Sequence, residues 1–180
     1  MNIYVMRHGR TNYNELELCN DNPSDDVHLI EVGKQQAQFA AEKLRTVTID
    51  RIIVSPLPRT RQTAEIINQF HHAPIEVHPD ILDIRTGFNN KPVQEYFAAI
   101  AHDPLNVAVN GGESLQQHKQ RVLGFINWLL GQTQENILVV AHEETLRVFI
   151  AYFEGNVSDD GLREIHIDNC EYKHYQTTIK

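Results

Sequence analysis

A chain of 180 residues with 41% hydrophobic and 22% charged residues has the make-up of an ordinary globular protein, long enough to bury about two-thirds or more of its unfolded surface. Its net charge of −8 argues against nucleic-acid or membrane partners, which a basic stripe would serve, and no apolar run approaches a membrane span or a secretory leader. The two cysteines, Cys19 and Cys170, are too few for a disulfide framework and form no C-x-x-C pair, which predicts a reducing, cytoplasmic setting.

The first element is a strand over Asn2–Met6, rich in β-branched and aromatic residues and suited to burial on both faces of a parallel sheet. It stops at Arg7-His8-Gly9. In open α/β sheets ligands bind at the carboxyl ends of the strands, so a cation and a titratable ring stand here where chemistry usually occurs, and Gly9 permits a sharp turn. Taken alone, the tripeptide also fits a surface turn. Residues 15–28, with Asn20-Asp21-Asn22-Pro23-Ser24-Asp25-Asp26, read as a surface excursion. The spacing from Leu29 to Leu44 (Val32, Gln36, Phe39, Ala40, Lys43, Leu44) predicts an amphipathic helix packed on the sheet.

Arg51–Val54 is the second buried strand, and a helix follows from near Pro58 to about Phe70. Arginines in a first turn oppose the helix dipole unless an anion lies against the amides. That places a phosphate site at Arg59, while Arg61 reads as solvated. A short strand over Ile75–His78 leads to Asp83, set among apolar neighbours that would raise its pKa into the range of a general acid; a turn cap or a pair with Arg85 is the alternative. Residues 91–112 read as a short helix and an irregular loop closing on Gly111-Gly112-Glu113-Ser114. The whole segment 84–113 is the expected lid and substrate-selecting part of a single domain over 1–180.

Ser114 is the expected N-cap of a helix to about Leu130 that buries Val122, Phe125, Ile126 and Leu129, with Trp128 assigned to packing. Ile137–Ala141 is the clearest buried strand, and His142 ends it. Glu143 and Glu144 then suit the first turn of a helix carrying Leu146, Val148, Phe149 and Tyr152. Residues 163–177 read as a final hairpin or edge pair without chemistry.

Three apolar runs thus end in Arg7-His8, in Ser55 leading to Arg59, and in His142, and parallel strands would bring these ends to one edge. Two guanidinium forks match phosphate oxygens. One imidazole is suited to attack phosphorus while the other, if protonated, stabilises the developing charge, with Asp83 giving a proton to the leaving oxygen. Metal chemistry is disfavoured: His71-His72 has no ligand partner at suitable spacing, and His142-Glu143-Glu144 lacks the second His of H-E-x-x-H. No P-loop is present.

Over almost its whole length the chain resembles the histidine phosphatase superfamily, also called the phosphoglycerate mutase-like family. Arg7-His8-Gly9 with Thr11 and Asn14 matches the nucleophile motif, Ser55-Pro56-Leu57-x-Arg59 with Thr63 the second, and Gly112-Glu113-Ser114 a third. The resemblance implies a three-layer α/β/α sandwich around a central, mostly parallel sheet. It also implies a phosphohistidine on His8, with Arg7, Asn14, Arg59, His142 and the backbone amide of Glu143 holding the phosphoryl group, a carboxyl acid at the leaving group, no metal and no organic cofactor.

Three departures qualify it. Many members carry Glu as proton donor in a Leu-x-Glu segment with Gly four residues beyond, where this chain has Leu82-Asp83 and Gly87. Asp is one methylene shorter, so either the loop lies closer or Glu113 or Glu143 shares the task. Glu143 stands where Gly commonly follows the second histidine, and Arg10 replaces a usual Glu or Gln.

The reaction expected is hydrolysis of a small phosphorylated metabolite. The alternatives are a phosphoglycerate mutase, which needs extra cations over the pocket (Arg85 and Lys91 are those of the lid segment), a protein-phosphohistidine phosphatase, and a phosphate-binding module without turnover.

Overall fold

The computed structural model describes residues 1–155 and 157–178. Five strands form one sheet: β1 (Asn2–Arg7), β2 (Arg51–Val54), β3 (Ile75–Val77), β4 (Asn136–Ala141) and β5 (Tyr172–Gln176), in the order β3-β2-β4-β1-β5. The first four run parallel, and β5 lies antiparallel on β1. The helices are α1 (Asn12–Leu16), α2 (Glu31–Leu44), α3 (Pro58–Ile67), α4 (Val93–Ile100), α5 (Leu115–Leu130) and α6 (Glu143–Glu154).

Alternation along the strands divides their apolar side chains between two cores. Ile3, Val5, Ile53, Ile137, Val139 and Ala141 pack with Phe125 and Ile126 of α5 and Phe149 of α6. On the other face Met6, Ile52, Val54, Leu138 and Val140 pack with Ala37 and Leu44 of α2 and Ala64 and Ile67 of α3. The result is the expected three-layer sandwich, and covering both faces is what lets β4 be an unbroken apolar run.

Register sets the site. Arg7 pairs with Ala141 and Val54 with Val140, so the residues that follow (His8, His142 and Ser55) emerge at one level on three adjacent strands. Ser114 caps α5 with a reciprocal capping box to Gln117, as the sequence predicts.

Three elements differ from expectation. The buried face of α2 is Gly33, Ala37, Ala40, Ala41 and Leu44, while Val32 and Phe39 are 49% and 64% exposed. The helix lies too close for large side chains: a Cβ on Gly33 would stand 2.0 Å from the Arg10 carbonyl oxygen. Residues 15–28 are only partly a surface excursion, because Cys19, Asn20 and Val27 are buried and Cys19 exchanges main-chain hydrogen bonds with Lys91 and Asn90 at 2.9 Å. The C-terminal piece contributes one strand rather than a hairpin, and the chain before it folds back against the site.

Candidate active site

His8, at the end of β1, is 4% exposed. Its Nδ1 lies 2.7 Å from the Gly9 carbonyl oxygen, so Nδ1 carries the proton and donates it, and Nε2 keeps its lone pair. That lone pair accepts from Arg59 Nε at 3.2 Å. Burial foremost, then the charge of Arg59 and the neighbouring His142 ring, hold the His8 pKa well below its ordinary value of 6.5. The ring is therefore neutral, with its lone pair on Nε2.

The loop bearing it is pinned from two sides. Gly9 N donates to Thr63 Oγ1 at 3.0 Å, whose hydroxyl donates to the Arg59 carbonyl at 2.8 Å. From the C-terminal segment, Asn169 Nδ2 donates to the His8 carbonyl at 2.9 Å.

His142, 1% exposed, follows β4 and caps the N-terminus of α6 without a side-chain bond to it, which leaves the first-turn amides of Glu143 and its neighbours without a capping group. Its Nε2 stands 2.7 Å from Ser55 Oγ. Ser55 Oγ also accepts from Leu57 N at 3.1 Å and stands 3.2 Å from Thr60 Oγ1; because Nδ1 faces the Asp83 carboxylate at 3.6 Å, the ring proton is assigned to Nδ1 and the Ser55 hydroxyl proton to Nε2. Nδ1 is buried and has no hydrogen-bond partner among the described residues. Burial, with Arg59 next, also holds the His142 pKa well below 6.5. With that assignment His142 is a neutral ring offering Nδ1–H, and the protonation on which the sequence reading made its charge stabilisation conditional is not favoured.

The arginines are more committed than two free forks. Arg59, in the first turn of α3 and 5% exposed, donates Nη1 to Asn20 Oδ1 at 2.7 Å and Nη2 to the Asn20 carbonyl at 3.1 Å. Nη2 also reaches Asp83 Oδ2 at 3.2 Å. Arg7 donates Nη1 to the Ile167 carbonyl and pairs at 3.4 Å with Glu143, while its buried Nε has no partner among the described residues. Asn14 takes the Thr11 amide on Oδ1 at 3.0 Å, which leaves its NH2 as what it offers a ligand.

Asp83 lies less among apolar groups than against the polar centre: Oδ2 meets Arg59 and stands 3.6 Å from His142 Nδ1, and Oδ1 accepts from Ile84 N at 2.9 Å. The loop therefore lies close, as the shorter side chain requires. The other two carboxyls are occupied. Burial alone would raise Glu113, but His118 and Arg121 hold its carboxyl down at about 2, and it does not border the cavity. Glu143 is held by Arg7 and Arg147 and accepts from Ile167 N at 3.2 Å.

His8, Arg7, Asn14, Arg59 and Asp83, though not His142, border a cavity of about 310 Å³ whose outer wall includes Tyr13, Val93, Tyr96, Phe97, Glu144 and Arg147. Arg10 turns to Glu15 at 3.9 Å and Arg85 to Glu113 at 3.4 Å. Neither they nor Lys91 line this space. Asn20, Arg147 and the 167–169 turn escape sequence reasoning: Asn20 lies in a loop with no periodic pattern, and the helical and alternating patterns around Arg147 and Ile167 do not say what these residues reach across the fold. Among the described residues no group of three or more His, Cys, Asp or Glu is disposed to hold a metal ion.

The family model "Histidine phosphatase superfamily (branch 1)" matches residues 3–178. The chain is 29% identical over 184 residues to Uncharacterized phosphatase PhoE of Bacillus subtilis, covering 99% of this chain and 92% of that protein. It is 28% identical over 161 residues to Adenosylcobalamin/alpha-ribazole phosphatase of Salmonella typhimurium, covering 84% and 78%. To Probable phosphoglycerate mutase GpmB of Erwinia tasmaniensis it is 26% identical over 179 residues, covering 94% and 82%. Among solved structures, a putative alpha-ribazole-5'-P phosphatase from Escherichia coli superimposes with a TM-score of 0.86 at 25% identity, covering 97% of this chain and 89% of that one. With its motifs at the ends of three adjacent strands and the family match running from β1 to beyond β5, the chain belongs to the histidine phosphatase superfamily.

Proposed function

We propose that the protein is a phosphomonoesterase that hydrolyses a small phosphorylated metabolite through a phosphohistidine on His8. The observation that carries this reading is the pairing of a neutral His8 Nε2 lone pair with two buried donors that lack protein partners, Arg7 Nε and His142 Nδ1. Unpartnered buried donors are costly, and an anion satisfies both at once.

His8 Nε2 attacks phosphorus in line with the leaving oxygen. Arg59 Nε passes from Nε2 to a phosphoryl oxygen, and Arg7, His142, the Asn14 NH2 and the first-turn amide of Glu143 take the remaining equatorial charge. As the dianion takes up the charge of Arg59, the freed Asp83 carboxylate takes up a proton from solvent and hands it to the leaving oxygen. In the second step Asp83 accepts a proton from the water that cleaves the phosphorus–nitrogen bond and regenerates neutral His8.

Hydrolysis is favoured over mutase chemistry by the outer cavity. Beyond Arg7 and Arg59, the cation lining it among the described residues is Arg147, which is bound to Glu143 at 3.2 Å and Glu144 at 3.1 Å. A second phosphate or a carboxylate would meet two glutamates there. Val93, Tyr96 and Phe97 instead offer an apolar face to an uncharged leaving group. They belong to the segment 84–113, which acts as the lid and selects the substrate.

Rapid quenching with labelled aryl phosphate tests the reading. The wild type is expected to give an acid-labile, alkali-stable phosphoenzyme that is absent from His8→Ala, and no interconversion of 3- and 2-phosphoglycerate with bisphosphoglycerate added. A His8→Ala protein that still turns over normally would sink the mechanism. Vanadate binding by the wild type without hydrolysis across a panel of sugar phosphates, nucleotides and phosphoproteins would make it a binding module.

A further inference from the structure

Glu113 heads the long helix α5 behind the cavity wall, and the chemistry above gives it no role. The structure shows what it holds. The Glu113 carboxylate is 3% exposed and pairs with Arg121 of α5. From that buried pair the two residues grip the Asp83 loop along its length. Arg121 Nη1 donates to the carbonyls of Asp80 at 2.8 Å and Leu82 at 3.0 Å, and Nη2 to the carbonyl of Asp83 itself at 3.5 Å. Glu113 accepts from Arg85 N at 3.1 Å and returns its own amide to the Arg85 carbonyl at 2.6 Å. The backbone fits this closely because residue 112 is glycine: a Cβ there would stand 2.2 Å from the Arg85 carbonyl oxygen. Ser114 then fixes the clamp to α5 through its capping box.

We propose that Arg121 and Glu113 are positioning residues for the proton donor, a clamp that fixes the backbone of residues 80–85 so that the Asp83 carboxyl reaches the leaving oxygen. The inference rests on the reading of Asp83 as general acid. A carboxyl one methylene short of glutamate has little reach of its own. Its placement against Arg59 and His142 is therefore set by the main chain, and the main chain on both sides of Asp83 is held by this pair. Only a guanidinium has the planar set of donors that spans three carbonyls while pairing with a carboxylate; an ammonium at the same position keeps the charge and loses the span. The Gly112-Glu113-Ser114 motif is thereby explained as loop geometry.

The test is a leaving-group series, because a misplaced acid matters only where the leaving oxygen needs a proton. In Arg121→Lys, kcat/KM for phenyl phosphate is expected to fall by about 100-fold, within the range a general acid contributes, and that for 2,4-dinitrophenyl phosphate by no more than about threefold. Asp83→Asn should show the same selective loss, and the double variant should fall little further than Asp83→Asn alone, since both changes act on one proton transfer. Arg121→Gln serves as a second variant, expected to show the same selectivity with a lower melting temperature.

Equal losses on both esters in Arg121→Lys, or no loss on either, would overturn the positioning role. If Asp83→Asn itself shows no leaving-group dependence while the phosphohistidine still forms, the clamp has no acid to position and the inference falls, whereas His8 chemistry stands. If the wild type forms no phosphoenzyme, the reading of the site falls and takes the inference with it.

Discussion

One hydrogen bond fixes the tautomer of His8: with Nδ1–H given to the Gly9 carbonyl, the lone pair, which the proposed mechanism uses as nucleophile, lies on Nε2. Burial, Arg59 and His142 then keep the ring neutral as pH falls through the range where a free imidazole takes up a proton. The acid limb of kcat/KM for 2,4-dinitrophenyl phosphate, whose leaving group needs no acid, is therefore expected well below the ordinary imidazole value of 6.5. A limb centred at 6.5 or higher would contradict the neutral buried ring. The same displacement carries a stability sign. Below about pH 6.5 the unfolded chain binds protons on His8 and His142 that the native site excludes, so stability falls as pH drops from there toward their native pKa values.

His8 and His142 were visible in sequence because each follows an apolar run, and Arg59 because it opposes the dipole in the first turn of the helix after one. Asn20 was not. Its role is to hold Arg59 from a loop whose composition announces only a turn. Nor does the sequence reveal that His142 is neutral, a property set by burial and by the charge of Arg59 rather than by its neighbours in the chain.

Among the elements, strands and helix starts followed from local pattern: β2, β4, the proline at the first turn of α3 and the Ser114 cap all stand where periodicity and end signals put them. What failed was the face of α2. Hydropathy favours Val32 and Phe39 for burial, yet the contact is decided by how closely two backbones approach, and Gly33 lies against the main chain of Arg10 while a Cβ on Gly9 would meet the Gly33 carbonyl at 2.5 Å. Gly33→Ala is therefore expected to destabilise the fold by about 1–3 kcal/mol through overpacking, measured by urea unfolding. A change below about 0.5 kcal/mol would mean that α2 moves freely away from the His8 loop. The C-terminal segment was misread for a related reason: alternation in Ile165 and Ile167 signals a strand, whereas Ile167 is buried beside the site, with its carbonyl on Arg7 and its amide on Glu143.

At the scale of the molecule, a chain of net charge −8 concentrates positive groups on the floor of one cavity. In the proposed reaction, protein N–H groups from Arg7, Arg59, Asn14, His142 and the start of α6 take up the phosphoryl charge that a divalent cation would otherwise neutralise. Treatment with EDTA is accordingly expected to leave kcat/KM within about twofold; a loss restored by adding Mg²⁺ or Zn²⁺ would show that a cation belongs to the reaction.

The main-chain bonds between the segment carrying Asn20 and the start of α4 have a bearing on how such a site diversifies. Val93 N donates to the Glu17 carbonyl at 2.9 Å, and Cys19 and Lys91 are joined at 2.9 Å, so the base of the leaving-group wall and the holder of Arg59 form one rigid piece. New specificities are then reached by exchanging side chains on a fixed wall, one substitution at a time. Extra length is accommodated at the far end of α4, in the exposed turn after Ile100, where an insertion enlarges the roof without disturbing the grip on phosphate.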